Sequence, residues 1–208
     1  TCALPISYET GLIQPIGKWV IQTACRQLKK WLDLGENIFI SVNINEKQLA
    51  EKDFVEELLS ILAGHGIPSD NFVVELTEEA ILSDPATIEK QIRALLGQGI
   101  RISVDDFGTG YSSLARLNNL PLSILKIDKS FVANITSASS PAPIVRAVSQ
   151  LADSLGLTTV AEGIETQTQL EFLKTLGCRF GQGFYLYKPA PPEEIVSLLP
   201  RAAAPAKN

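Results

Sequence analysis

The chain has 208 residues, enough for one sizeable core, and its composition is that of an ordinary globular domain: 45% hydrophobic and 20% charged. A net charge of −5 excludes a general electrostatic footprint for nucleic acid, so an anionic ligand must be held locally, by a metal or a few placed cations. The cysteines Cys2, Cys25 and Cys178 lack metal-ligand spacing and are odd in number; they read as reduced thiols of a cytoplasmic domain. No apolar run reaches membrane-spanning length.

In chain order, residues 1–11 read as a loop or weak helical turn. Ile13 to Leu32 reads as an amphipathic helix, with Ile16, Trp19, Val20, Thr23, Gln27 and Trp31 near helical spacing. A strand is predicted over Asn37–Ile44, and a helix over Glu46–Ala63, ended by Gly64-His65-Gly66. The single histidine, between two glycines, suits a surface loop better than a ligand role. Phe72–Thr77 is the next strand. Asp84-Pro85 offers an N-cap and an N1 proline for a helix to Gln98. Ile100 to Asp106 is a strand that ends abruptly at two carboxylates, and Gly108 and Gly110 follow. Ser112 and Ser113 offer caps for a helix through Leu114 to Leu117. Ser123–Asp128 is a further strand. A loop around Ser137–Pro141 leads to a helix ending at Leu155, then a strand at Leu157–Ala161 and a helix at Thr166–Leu176. Phe180–Leu186 closes the series, and the Ala- and Pro-rich residues 200–208 read as a disordered tail.

Strands alternating with helices predict an α/β fold with a parallel sheet. A doubly wound sheet and a (β/α) barrel both fit that pattern; the first βα turn lacks G-x-G-x-x-G. The polar residues favour the barrel. Asn43, Glu75, Asp105 with Asp106, Lys126, Glu162 and Gln182 stand near successive strand ends, where barrel enzymes carry their sites. Period-two alternation places Ser41 with Asn43, and Ser103 with Asp105, on one face, against an apolar face of Ile40, Val42, Ile44, Ile102 and Val104. Buried paired carboxylates are costly without a cation. Asn43, Glu75, Asp105 and Asp106 offer only oxygen, which suits Mg²⁺ or Mn²⁺ better than Zn²⁺. Glu162 could take a proton from an activated water, and Lys126 could neutralise a carboxylate or steady developing charge.

Val42-Asn43, Glu75-Leu76-Thr77-Glu78, the run Asp105 to Ser113, Leu125-Lys126-Ile127-Asp128, Ala161-Glu162-Gly163-Ile164-Glu165-Thr166 and Gln182-Gly183 occur in an order that resembles the EAL-domain family. That resemblance implies a modified TIM-like barrel over residues 1–199. It implies hydrolysis of cyclic di-GMP to the linear dinucleotide in bacterial second-messenger signalling of biofilm and motility. Two Mg²⁺ or Mn²⁺ ions would serve the intact site. By the same resemblance Asn43, Glu75 and Asp105 are metal ligands and Asp106 reaches a second metal. Glu162 is the catalytic base, Lys126 orients water, and Glu78 holds the loop after Asp106. Gln182 lines the site, with Asp128 and Glu165 in supporting or substrate-side positions. The implied partners are cyclic di-GMP, a second copy of the chain, and an upstream sensor or GGDEF-type domain, with no DNA.

The Glu-Ala-Leu motif that names the family does not occur in this sequence. The matching segments begin near Pro5 to Ile13, so the expectation is a barrel lacking about its first two strands. Residues 1–208 alone are then expected to hydrolyse the cyclic dinucleotide poorly. The alternative reading is an inactive EAL-like domain that senses cyclic di-GMP or docks a protein.

Overall fold

The computed structural model describes residues 7, 10–108, 120–137 and 142–199. The helix expected over Leu114–Leu117, most of the Ser137–Pro141 loop, the opening segment, Cys2 and the tail at 200–208 therefore lie wholly or largely outside the described residues. Six strands form one parallel sheet in sequential order: β1 (Ile40–Asn43), β2 (Phe72–Thr77), β3 (Arg101–Phe107), β4 (Ile124–Ile127), β5 (Thr158–Ala161) and β6 (Phe180–Gly181). A doubly wound sheet reverses its strand order at a switch point. This sheet does not, and so it follows barrel topology. Across the N-terminal ends of its outermost strands, the Phe39 and Phe180 rings lie edge to face with centroids 6.0 Å apart. The sheet is therefore curled rather than flat.

The two faces separate as period two requires. Val42, Val74, Leu76, Ile102, Val104, Leu125, Ile127 and Ala161 are buried outward, under the helices. The inner face carries Ser41, Glu75, Ser103 and Lys126, which line an interior chamber together with Phe39 and Phe180. The hydrophobic effect thus builds the helix-sheet core, while the inner face mixes these polar groups with Val73, Ile124 and Val160.

Helix α1 (Ile13–Asp33) forms as expected, but its buried stripe is Ile21, Cys25 and Leu28. Trp19 is 62% exposed and Ile16 44%, so the sequence pattern identified the helix and missed its inward face. Both stripes repeat at helical spacing, and packing on β1 and the third helix selects the second one. The single helix expected over Glu46–Ala63 is two: α2 (Glu46–Leu49) and α3 (Phe54–His65). Asn45 and Gln48 close a reciprocal capping box at the first. At the break, the Glu51 carbonyl accepts from Gln91 Nε2 at 2.8 Å, a tertiary partner, as well as from Phe54 N–H at 3.2 Å. His65 ends α3 as its last helical residue, half-buried, rather than sitting in a loop, and Gly66 follows in the left-handed region.

A short helix, α4 (Glu78–Ser83), intervenes before α5 (Pro85–Gly97), where Asp84 caps at Thr87 N–H and Pro85 takes the first turn as expected. Helices α6 (Lys129–Val132), α7 (Pro143–Ser154), α8 (Gln167–Thr175) and α9 (Pro192–Ile195) complete the described elements. The strand expected over Phe180–Leu186 is only two residues long. Its continuation turns back, with Tyr185 N–H donating to the Ile164 carbonyl at 2.9 Å and Leu186 N–H to that of Gly183 at 3.0 Å. Cys25 and Cys178 are free thiols. Burial pushes the Cys25 thiol up to about 11, so it is a packing residue rather than a nucleophile.

Candidate active site

Parallel register sets Asn43 beside Glu75, Glu75 beside Ser103, and Thr77 beside Asp105. Glu75, Asp105 and Lys126 therefore arrive at one end of the curled sheet, on its inner face. Beyond β5 the ladder continues for one residue, with Glu162 N–H donating to the Ile127 carbonyl at 3.0 Å. That bond brings Glu162 to the same end.

Between β3 and β4 the register slips: Val104 pairs with Leu125 but Phe107 pairs with Ile127. Three steps on β3 oppose two on β4, which is a β-bulge, and Asp106 within it has φ 54°. Simple alternation would send Asp105 and Asp106 to opposite faces. The bulge lets both reach one site. Carboxylate oxygens of Asp105, Asp106 and Glu162 lie within 4.8 Å of one another. The Asp106 N–H donates to Asp105 Oδ1 at 3.0 Å, which fixes the bulged peptide.

Lys126 stands at the centre. Its ammonium is 2.6 Å from Glu162 Oε1, 3.0 Å from Asp105 Oδ1 and 3.1 Å from Glu75 Oε2, with its side chain only 6% exposed. All three ammonium donors thus have carboxylate acceptors. Burial works against the charge on Lys126, but the hydrogen bond to Glu162 and the neighbouring carboxylates win and hold its pKa well above the ordinary lysine value. Burial raises the Glu162 pKa; the bond to Lys126 opposes this, while Asp105 and Glu75 add to the rise. Burial also raises that of Asp106, reinforced by the charges of Asp105 and Asp128. One ammonium among four carboxylates leaves the site short of positive charge. Among the described residues the grouped ligands are all carboxylates, with no histidine or thiol in the set, so the donor chemistry fits a hard divalent cation.

Of the remaining expected residues, Gln182 bonds directly to this centre, its Nε2 donating to Glu162 Oε1 at 2.7 Å. Glu78 Oε2 accepts from Gly108 N–H at 3.1 Å, holding the start of the loop that follows Asp106. Asn43 stands exposed at the rim, next to Glu75 in register. Glu75 itself is bonded to Lys126, outside the Asp105–Asp106–Glu162 group. The Asp128 carboxylate caps α6 by accepting from Ser130 N–H at 2.9 Å. Burial opposes ionisation there, but the hydrogen bonds from the Ser130 side chain and from the Ser130 and Lys129 N–H groups prevail and lower its pKa. Glu165 is exposed, and its N–H donates to Gln169 Oε1 at 2.7 Å. Sequence spacing offered no cationic partner for Glu162; the fold supplies Lys126.

Gly163 makes the turn after Glu162 with φ 65°, and a Cβ there would come within 2.5 Å of the Lys129 Cβ. Gly163→Ala is expected to cost about 1–3 kcal/mol through the left-handed backbone and that contact. Thermal unfolding checks this, with the parent Tm in the variant as the contrary result.

The family model for the EAL domain matches residues 3–189. The chain belongs to the EAL domain family. It is 42% identical over 195 residues to the bifunctional diguanylate cyclase/cyclic di-GMP phosphodiesterase MucR of Pseudomonas aeruginosa, covering 93% of this chain and 28% of that protein. It is 39% identical over 195 residues to the oxygen sensor protein DosP of Escherichia coli, covering 92% of this chain and 24% of that one. The chain thus spans about a quarter of the length of these curated relatives. The solved PaMucR phosphodiesterase–c-di-GMP complex superposes with a TM-score of 0.87 at 42% identity, covering 93% of this chain and 78% of the other. The EAL domain of Mycobacterium smegmatis DcpA gives 0.85 at 40% identity, covering 90% and 85%. The curled parallel sheet is therefore the TIM-like barrel sheet of EAL domains.

Proposed function

We propose that this EAL domain hydrolyses one phosphodiester bond of cyclic di-GMP to give the linear dinucleotide, with Mg²⁺ or Mn²⁺ held at its carboxylates. The observation that carries this reading is the Lys126-centred group of Glu75, Asp105 and Glu162, with Asp106 turned into the same space by the β-bulge. It sits at the strand ends where barrel enzymes work. The PaMucR complex supports the choice of ligand.

Asp105, Asp106, Glu75 and Asn43 would hold the cations. Bound there, cations would supply charge to the phosphate oxygens and make an attacking water more acidic. Glu162 Oε is the group that takes the water's proton, and its raised pKa suits the task, because a base works best near the ambient pH. Lys126 and Gln182 hold the Glu162 carboxylate in one orientation, so no rotamer search precedes proton transfer. Glu78 steadies the Asp106 peptide region through Gly108. The same reading includes a cytoplasmic setting, a second copy of the chain, and a sensor or GGDEF-type neighbour as partners. Among the described residues no helix is long and apolar enough to cross a membrane.

The test is chromatographic detection of the linear dinucleotide after incubating the full-length protein with cyclic di-GMP and Mg²⁺ or Mn²⁺. Product is expected, and it should vanish with chelator and in Asp105→Asn. Binding of the cyclic dinucleotide without product would overturn the hydrolase reading in favour of a sensor.

A further inference from the structure

The inner face of β3 carries Arg101, Ser103 and Asp105, with no apolar filler among them. Ser103 is fully buried, and its Oγ has no hydrogen-bond partner among the described residues. It faces an interior chamber of about 220 Å³, below the carboxylates, that Ser41, Glu75 and Lys126 also line. In register Ser103 is the direct neighbour of Glu75. Barrel interiors are ordinarily packed with branched apolar side chains, as Val73, Ile124 and Val160 are here, so a buried serine among them departs from the packing rule. A buried hydroxyl with no partner costs roughly 1–3 kcal/mol. A chamber of this size has room for water, which occupies about 30 Å³ per molecule in the liquid, and Ser41, Glu75, Ser103, Lys126 and Gln182 offer it polar partners.

We propose that Ser103 is a positioning residue: through water held in the chamber it fixes the Glu75 carboxylate from below and so tunes the affinity of the site for a divalent cation. The direction of the hydrogen bonds follows from the donor count. Lys126 has spent its three donors on Glu75, Asp105 and Glu162. The water therefore accepts from Ser103 Oγ and donates to the Glu75 carboxylate, whose Oε2 already accepts from Lys126. With both bonds made, the carboxylate plane is fixed before a cation arrives. Without the serine, Glu75 keeps its bond to Lys126 but loses its second restraint. Cation binding must then include the ordering of that side chain.

This inference rests on the proposed metal-assisted reading, and the experiment separates the two. Mn²⁺ binding to the purified protein is followed by electron paramagnetic resonance, in the parent and in Ser103→Ala, Ser103→Thr, Ser103→Val and Asp105→Asn. Residues that support metal ligands from behind typically change affinity by about 10-fold or more. Ser103→Ala and Ser103→Val are expected to weaken Mn²⁺ about 10-fold. Ser103→Thr, the same shape as valine but with the hydroxyl, should stay near the parent. Circular dichroism of Ser103→Ala should match the parent, since alanine is the smaller side chain. Weak binding in Asp105→Asn with parent-like binding in Ser103→Ala would overturn the role of Ser103 alone. Equal weakening in Ser103→Thr and Ser103→Val would overturn it too, because shape rather than the hydroxyl would then matter. Parent-like binding in Asp105→Asn would overturn the metal-site reading itself.

Discussion

Glu162→Gln is expected to lower turnover of cyclic di-GMP by about 10²–10⁴-fold while leaving its binding within a few-fold of the parent. The amide keeps the shape and can still accept from Lys126 and Gln182, so the pocket survives and only proton acceptance is lost. Stability should not fall. Burial raises the Glu162 pKa in the folded chain, so the folded state binds that proton more tightly than the unfolded one. The ionised form therefore costs stability as pH rises through the raised value, and the neutral amide removes that cost. The same shift sets the pH profile of the parent: activity should fall as pH drops through a value above the ordinary glutamate pKa. Steady-state kinetics and calorimetric binding read both effects. Turnover within a few-fold of the parent would sink the base assignment, and a matched loss of binding and turnover would make Glu162 a ligand-holding residue.

Much of this was legible in the sequence, because strand alternation and strand order are local signals. Phe72–Thr77 came out as a strand to the residue, and the polar strand ends pointed to one end of a barrel. What the sequence could not show is everything decided between strands. The partner of Glu162 is Lys126, 36 positions earlier in the chain, joined only by β4–β5 pairing. The Asp105–Asp106 pair was visible, but alternation alone assigns them to opposite faces. The register slip against β4 reconciles them, and a slip belongs to the pair of strands rather than to either one. Likewise, α1 carries two stripes at helical spacing, and only packing chose Ile21, Cys25 and Leu28. The Gln91 bond to the Glu51 carbonyl, at the break in the long helix, is again a contact between elements distant in sequence.

Lys126→Met is expected to give the largest loss of stability, and its size should depend on pH and on added cation. Methionine keeps the volume but leaves Glu75, Asp105 and Glu162 facing one another without the ammonium. Removing one partner of a buried ion pair costs about 3–5 kcal/mol, because the remaining charge is buried and uncompensated. For a chain of this length that is roughly a 10 °C fall in Tm. The sign of the pH effect follows from the carboxylates. Burial and mutual repulsion already raise the Glu162 pKa with Lys126 in place, and removing the ammonium raises it further. Protonation as the pH falls through that raised value then relieves the repulsion, so the variant should lag the parent less at pH 5 than at pH 8. Millimolar Mn²⁺ should narrow the gap at pH 8, since a divalent cation supplies the missing positive charge to the same oxygens. Urea unfolding at both pH values, with chelator and with Mn²⁺, separates this from simple loss of packing. A deficit of the same size under all four conditions would mean that Lys126 stabilises through its alkyl chain. A deficit that grows with pH and is reversed by Mn²⁺ makes the ammonium the internal counter-ion of the three carboxylates in a barrel interior.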